Sequence, residues 1–170
     1  MIHCMRAEVR QLQIDQDSWH VARGHMLLAA RLEETLIVCL NDDTQGVGGL
    51  LHLRLAAEGT KSLDLSDNTL SVNLLLIERF MKELRSAGAR APALRGTLVA
   101  HVPKDSPLEI PASTLIGLIA AYFADAKIAL VRREIRHVPA VAVLFEPREG
   151  RIFLSGEKRV VEPVQADSRP

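Results

Sequence analysis

Apolar and polar positions along the chain fall into runs of two periods. Gly24–Ala30 is a short apolar run, and Thr35–Asn41 is a second, rich in β-branched and apolar residues; both read as strands. Asp42–Gly46 (DDTQG) is a turn cluster, with Gly46 free to take positive φ. Val47–Leu55 is a third strand and makes a hairpin with the second. Both hairpin strands are apolar on both faces in places, which predicts central positions in a sheet covered on each side. The period then changes. Leu70, Leu74, Ile77, Met81 and Leu84 recur at helical spacing over Thr69–Ser86, after the candidate N-caps Ser66, Asp67 and Asn68, with Gly88 as the stop. Leu94–Val102 returns to a strand. Pro103–Pro111 reads as a loop, because its prolines deny a ladder. Ala112–Asp125 is a second helix, apolar nearly all round and so buried. Strands at Lys127–Arg133, Ala140–Phe145 and Arg151–Leu154 follow, the last two joined by the turn PREG.

That order predicts an α/β (α+β) layered sandwich: a central mixed, largely antiparallel sheet flanked by two main helices, rather than a doubly wound parallel sheet. One domain over residues 1–161 accounts for the 170-residue chain, with 162–170 a loose polar tail. The 48% hydrophobic content is enough for a packed core. A formal net charge of zero removes the electrostatic case for nucleic acid or an anionic membrane, and sparse aromatics argue against base stacking. Cys4 and Cys39 form no CxxC or Cys/His cluster, so no metal site is expected. No GxGxxG or GxxxxGK[ST] stretch supports a nucleotide, and no cofactor is expected. The start MIHCMRAEVRQLQ lacks an apolar core of signal-peptide type, no apolar run reaches the ~18 residues of a membrane span, and two thiols without a disulfide framework suit the cytoplasm.

The stretch with chemical content is TLIVCLNDDTQGVGGLLHLRL, Thr35 to Leu55. It places Cys39 on one strand of the hairpin and His52 on the other. Such a pair can serve a thiol hydrolase, or be a small buried hydrophobe beside a core histidine. Gly48-Gly49 inside a strand marks a bulge or a close backbone approach. Residue types alone leave both readings open. His20, His25, His101 and His137 show no motif spacing, which makes them surface or core histidines.

The same stretch resembles the chemoreceptor glutamine deamidase (CheD) family of bacterial chemotaxis, whose pattern is roughly LGSCVAVCLxD, a short turn, then GGxxHxxLP. The matching letters are LEETLIVCLND, DTQGV and GGLLHLRLA. Cys39 matches the second family cysteine, Asp42 or its neighbour the turn aspartate, and Gly48, Gly49 and His52 the GGxxH element. The segment Asp17–Gly24 and the hairpin AVAVLFEPREGRIFL are also similar, so the resemblance covers about Val9–Val161. The departures concern the active site. The family's nucleophilic cysteine falls on Thr35, its supporting threonine on Ala29, and its late-strand arginine on Pro139. A second glycine pair becomes Arg95-Gly96-Thr97. The resemblance therefore implies a degenerate, non-catalytic binding or regulatory protein, with chemoreceptor cytoplasmic helices or a chemotaxis phosphatase as partner. The alternative it implies is an amide hydrolase using Cys39 or Thr35 with His52.

Overall fold

The computed structural model describes residues 9–56 and 68–155. The strands before the first helix are β1 (Arg10–Gln13), β2 (Ser18–Arg23), β3 (Met26–Leu32), β4 (Thr35–Asp42) and β5 (Val47–Arg54). After α1 (Thr69–Ser86) come β6 (Arg95–His101), α2 (Glu109–Asp125), β7 (Ala129–Arg136), β8 (Val141–Glu146) and β9 (Arg151–Leu154). They build the expected α+β layered sandwich, with one correction: there are two sheets rather than one central sheet. One has the order β2-β5-β4-β6-β7 and the other β1-β3-β8-β9. The reason is local. Only Glu33 and Glu34 separate β3 from β4, and at this corner the chain leaves one sheet for the other instead of turning back beside itself.

β4 and β5 are central, as their apolar faces require. Alternate β4 residues serve two cores. Leu36, Val38 and Leu40 pack with Phe80 and Met81 of α1 and Ile119 and Phe123 of α2. Ile37 and Cys39 pack with Leu28 and Leu32 of β3 and Val143 and Phe145 of β8. The helices thus share one face of the five-stranded sheet, and the second sheet covers the other. The hairpin register pairs Thr35 with Arg54, Ile37 with His52 and Asp42 with Val47.

Other departures from the expected boundaries have simple causes. β1 and β2 are edge strands, β1 exposed throughout, and lack the apolar alternation that announces a strand. α2 begins at Glu109 and includes Pro111, because a proline in the first turn of a helix removes an N–H that has no partner there anyway. Both helices end in the same way. Gly88 takes φ 103°, with Ala89 N–H bonded to Leu84 O and Gly88 N–H to Arg85 O. Lys127 takes φ 62°, with Ile128 N–H on Phe123 O and Lys127 N–H on Ala124 O. This is the left-handed stop expected at Gly88, repeated at α2 without a glycine. Asn68 stands at the N-cap of α1 but makes no side-chain cap bond. Ser66, Asp67, Cys4 and the 162–170 tail lie outside the described residues. None of the described helices is long and apolar enough to cross a membrane.

Candidate functional site

Thr35 opens β4, and His52 lies on β5 opposite Ile37, so their side chains share the face turned toward the second sheet. His52 Nε2 stands 2.7 Å from Thr35 Oγ1, and its Nδ1 stands 3.1 Å from the Ile14 carbonyl oxygen. A carbonyl only accepts, so Nδ1 carries the proton. In the neutral ring Nε2 is then a lone pair, and the Thr35 hydroxyl donates to it. Burial is the largest influence on the His52 pKa and holds it below the ordinary histidine value; the Ile14 bond and the negative charges of Asp17 and Asp15 partly oppose this. Thr35 and His52 are each 4% exposed. The arrangement is a hydroxyl on a fixed imidazole base, inside the protein.

The connection between β1 and β2 supports the imidazole. Asp17 takes φ 62°, and its N–H donates to the His52 carbonyl at 2.8 Å. Its carboxylate holds the guanidinium of Arg54, with Nε 2.9 Å from Oδ2, and Arg54 is the register partner of Thr35.

A second histidine meets the same corner from the other side. The register Leu36 with Ala100 carries on to set Thr35 beside His101 of β6. His101 Nε2 donates to the Val138 carbonyl, and its Nδ1 accepts the N–H of Glu34 at 3.0 Å. Glu34 itself takes φ 57°. His101 spacing gave no warning of this role, because only the β4–β6 register creates it. Ile14 acts through a backbone carbonyl and has no side-chain signature. The Asp15-Gln16-Asp17 cluster is a turn signal of the usual kind that the sequence reading passed over, and it marks the supporting connection.

Cys39 lies on the same face as Thr35, four residues along β4, paired in register with Leu50 and Thr97. Its thiol is free and 2% exposed, and burial pushes its pKa up. Both ring nitrogens of His52 are taken up by Ile14 and Thr35, so the structure pairs His52 with Thr35 and leaves Cys39 among Ile37, Leu50 and Val99. The diglycine is a packing element. A Cβ on Gly48 would stand 2.6 Å from the Leu40 carbonyl oxygen and 2.7 Å from that of Pro147. One on Gly49 would stand 2.7 Å from Phe80 Cε2. Ala29 is a buried residue of β3, and Pro139 lies exposed between β7 and β8. Among the described residues no group of three His, Cys, Asp or Glu side chains is placed to hold a metal ion.

No family model and no curated protein matches the sequence. Solved structures are similar in fold. Neisseria meningitidis protein NMB0706, of the family model DUF152, superposes with a TM-score of 0.50 at 12% identity, over 85% of this chain and 73% of that one. The Bacillus licheniformis hypothetical protein YfiH gives a TM-score of 0.43 at 13% identity, over 69% of this chain and 49% of that one. The fold likeness therefore runs to DUF152 and not to the chemoreceptor deamidases. This corrects the CheD resemblance and, with it, the chemotaxis function, the deamidase reading and the receptor or phosphatase partners. The physical reason is visible in the hairpin. Close contacts with Leu40, Pro147, His20 and Phe80 require its glycines, so GGxxH letters can arise from packing alone.

Proposed function

We propose that Thr35 and His52 form a small acyl-transfer centre, with Thr35 as nucleophile and His52 as general base, acting on an activated ester of a small carboxylic acid. The observation that supports this is the tautomer that Ile14 imposes: it leaves an unprotonated Nε2 facing the hydroxyl at 2.7 Å. A threonine is a weaker nucleophile than a cysteine, and it needs such a base already in place. As Thr35 Oγ1 bonds to the acyl carbon, its proton passes to Nε2. The imidazolium gives that proton to the departing alkoxide, and water then attacks the acyl-threonine by the same path, restoring Thr35 and releasing the acid. The Asp17 and Asp15 charges favour the transient imidazolium. Cys39 is the lesser candidate nucleophile in this reading, since burial disfavours its thiolate. Gly48 and Gly49 serve as scaffold, allowing β5 its place between Phe80 and Pro147. We place the protein in the cytoplasm, where a free thiol such as Cys39 stays reduced.

The test is release of p-nitrophenol from p-nitrophenyl acetate, with mass analysis of the quenched protein. Thr35→Val, nearly identical in shape, and His52→Gln are expected to lose turnover, and an acetyl group is expected on the peptide carrying Thr35. Native protein that cleaves the ester no faster than Thr35→Val overturns the reading.

A further inference from the structure

Glu34 and Thr35 are neighbours in sequence, and each is held by a different histidine. Each histidine is in turn held by a carbonyl from a different connection of the chain: Ile14 between β1 and β2 for His52, and Val138 between β7 and β8 for His101. In both rings the carbonyl fixes the proton on one nitrogen and leaves the other as an acceptor. Both rings therefore receive a hydrogen bond from the β3–β4 corner, and both lose the capacity to receive it when protonated.

The two halves differ in what they can do next. The Thr35 hydroxyl can rotate and offer its oxygen to a protonated Nε2, so that contact survives with its direction reversed. The Glu34 N–H belongs to the backbone and has no such freedom. A protonated Nδ1 on His101 would set N–H against N–H. Glu34 is moreover a non-glycine residue in the left-handed region, a conformation that costs about 1 kcal/mol or more unless its surroundings enforce it.

We infer that His101 is the acid-sensitive half of a two-histidine latch: its protonation breaks the Glu34 contact and loosens the corner that carries Thr35. Titratable and charged groups among the described residues flank the corner on both sides. On the His52 side they are Asp15, Asp17 and Arg54. On the His101 side, Arg136 is the register partner of His101 and pairs with Glu134, while His137 donates to the Val102 carbonyl at 3.0 Å and lies 3.6 Å from Glu109. The inference deepens the proposed site by naming what holds the corner that carries Thr35, and so rests on that reading. The latch itself is measured by amide exchange, which stays informative if no ester is ever cleaved.

The experiment follows hydrogen exchange of the Glu34 amide in the full ¹⁵N-labelled chain between pH 7.5 and 5.0, corrected for the intrinsic pH dependence of exchange. Loss of one hydrogen bond corresponds to a fall in protection of roughly tenfold, with Val38 and Leu40 in mid-strand unchanged. His101→Asn puts an amide oxygen near the place of Nδ1 and cannot titrate, so the fall is expected to vanish. Glu34 protection that is flat across the range, or that falls equally in His101→Asn, overturns the latch. Should that variant not fold, the native chain decides through its imidazole ¹⁵N spectrum. Nδ1 of His101 must titrate in step with the loss of Glu34 protection, and titration at a different pH also overturns it.

Discussion

β4 buries a polar group at each end, and the two are satisfied in opposite ways. At one end Asp42, 0% exposed, accepts the N–H groups of Thr44 at 3.1 Å, Gln45 at 3.2 Å and Arg90 at 3.0 Å, and the Thr44 hydroxyl. Burial pushes its carboxyl up, but these bonds more than reverse that and hold its pKa below the usual carboxylate range. At the other end the Thr35 hydroxyl and the Glu34 N–H donate hydrogen bonds to imidazoles. A backbone donor is permanent, whereas an imidazole lone pair exists only until a proton occupies it. The two ends therefore respond to acid over different ranges: the Asp42 contacts depend on a carboxylate and the Thr35 contacts on two imidazoles.

The Asp42 end should break hardest. A Cβ on Gly48 meets two backbone oxygens, of Leu40 and Pro147, and neither can swing aside as a side chain would. Gly48→Ala should cost about 3 kcal/mol, the upper range for overpacking, read as a fall in urea midpoint at unchanged slope. A midpoint within error of native would mean that the second sheet gives way there. Next comes Asp42→Ala, which strands the N–H groups of Thr44, Gln45 and Arg90 and should cost about 2 kcal/mol. The pH dependence has a definite sign. The folded pKa of Asp42 is depressed, so its contribution is complete above the ordinary aspartate value of 3.8 and is lost as pH falls through the folded value. Native protein should lose stability on acidification below that point, and Asp42→Ala should lose less.

How much of this was legible depends on whether a signal is local. The turn at Asp42–Gly46 was legible because Gly46 has to take positive φ, and it does, at 62°. The span Thr69–Ser86 was legible from its helical period, but the buried face was read only in part: Ile77, Met81 and Leu84 lie on it, whereas Leu70 and Leu74 are exposed and Asn73, Leu76 and Phe80 take their place. The division into two sheets was not. It depends on whether a two-residue link turns the chain back or across, and Glu33-Glu34 carries no such label. At the site, the sequence offered Cys39 or Thr35 as the partner of His52 and did not choose between them, because the choice requires the register that pairs Ile37 with His52. The CheD resemblance misled for a related reason. Gly48 is constrained by Leu40 within the hairpin and by Pro147, about a hundred residues away in the chain, and such a packing constraint cannot be told from a catalytic one by reading the letters.

The proton-dependent end should respond more weakly, and at a milder pH. Thr35→Val removes the donor to His52 and leaves a buried acceptor unpaired, at about 1 to 2 kcal/mol. The His52 pKa is lowered in the fold, so neutral His52 is compatible with full stability above pH 6.5, and stability falls as pH drops below it toward the folded value. Urea midpoints between pH 7.5 and 5.0 should decline in native protein and in Asp42→Ala alike. A decline confined to pH below 4 would mean that only carboxylates govern acid stability, and the contrast between the two ends would collapse.

The smallest effect sharpens the comparison most, because it separates backbone from side chain at the Thr35 end. Glu34 and Asp17 both sit in the left-handed region, at φ 57° and 62°, and both donate a backbone N–H, to His101 Nδ1 and to the His52 carbonyl. Glycine takes this conformation without the Cβ penalty, though it loses more entropy on folding. Glu34→Gly keeps its N–H and sacrifices only an exposed carboxylate, so it should stabilise by about 0.5 kcal/mol, the net of roughly 1 kcal/mol of relief against the added entropy. Asp17→Gly gains the same relief but gives up the carboxylate on Arg54, a half-buried pair, and should come out destabilised. Two glycine variants of opposite sign would show that the backbone strain at this corner is shared, while the anchoring charge belongs to Asp17 alone. If both stabilise equally, the Arg54 pair contributes nothing, and the support for His52 reduces to the Ile14 carbonyl and the Asp17 N–H.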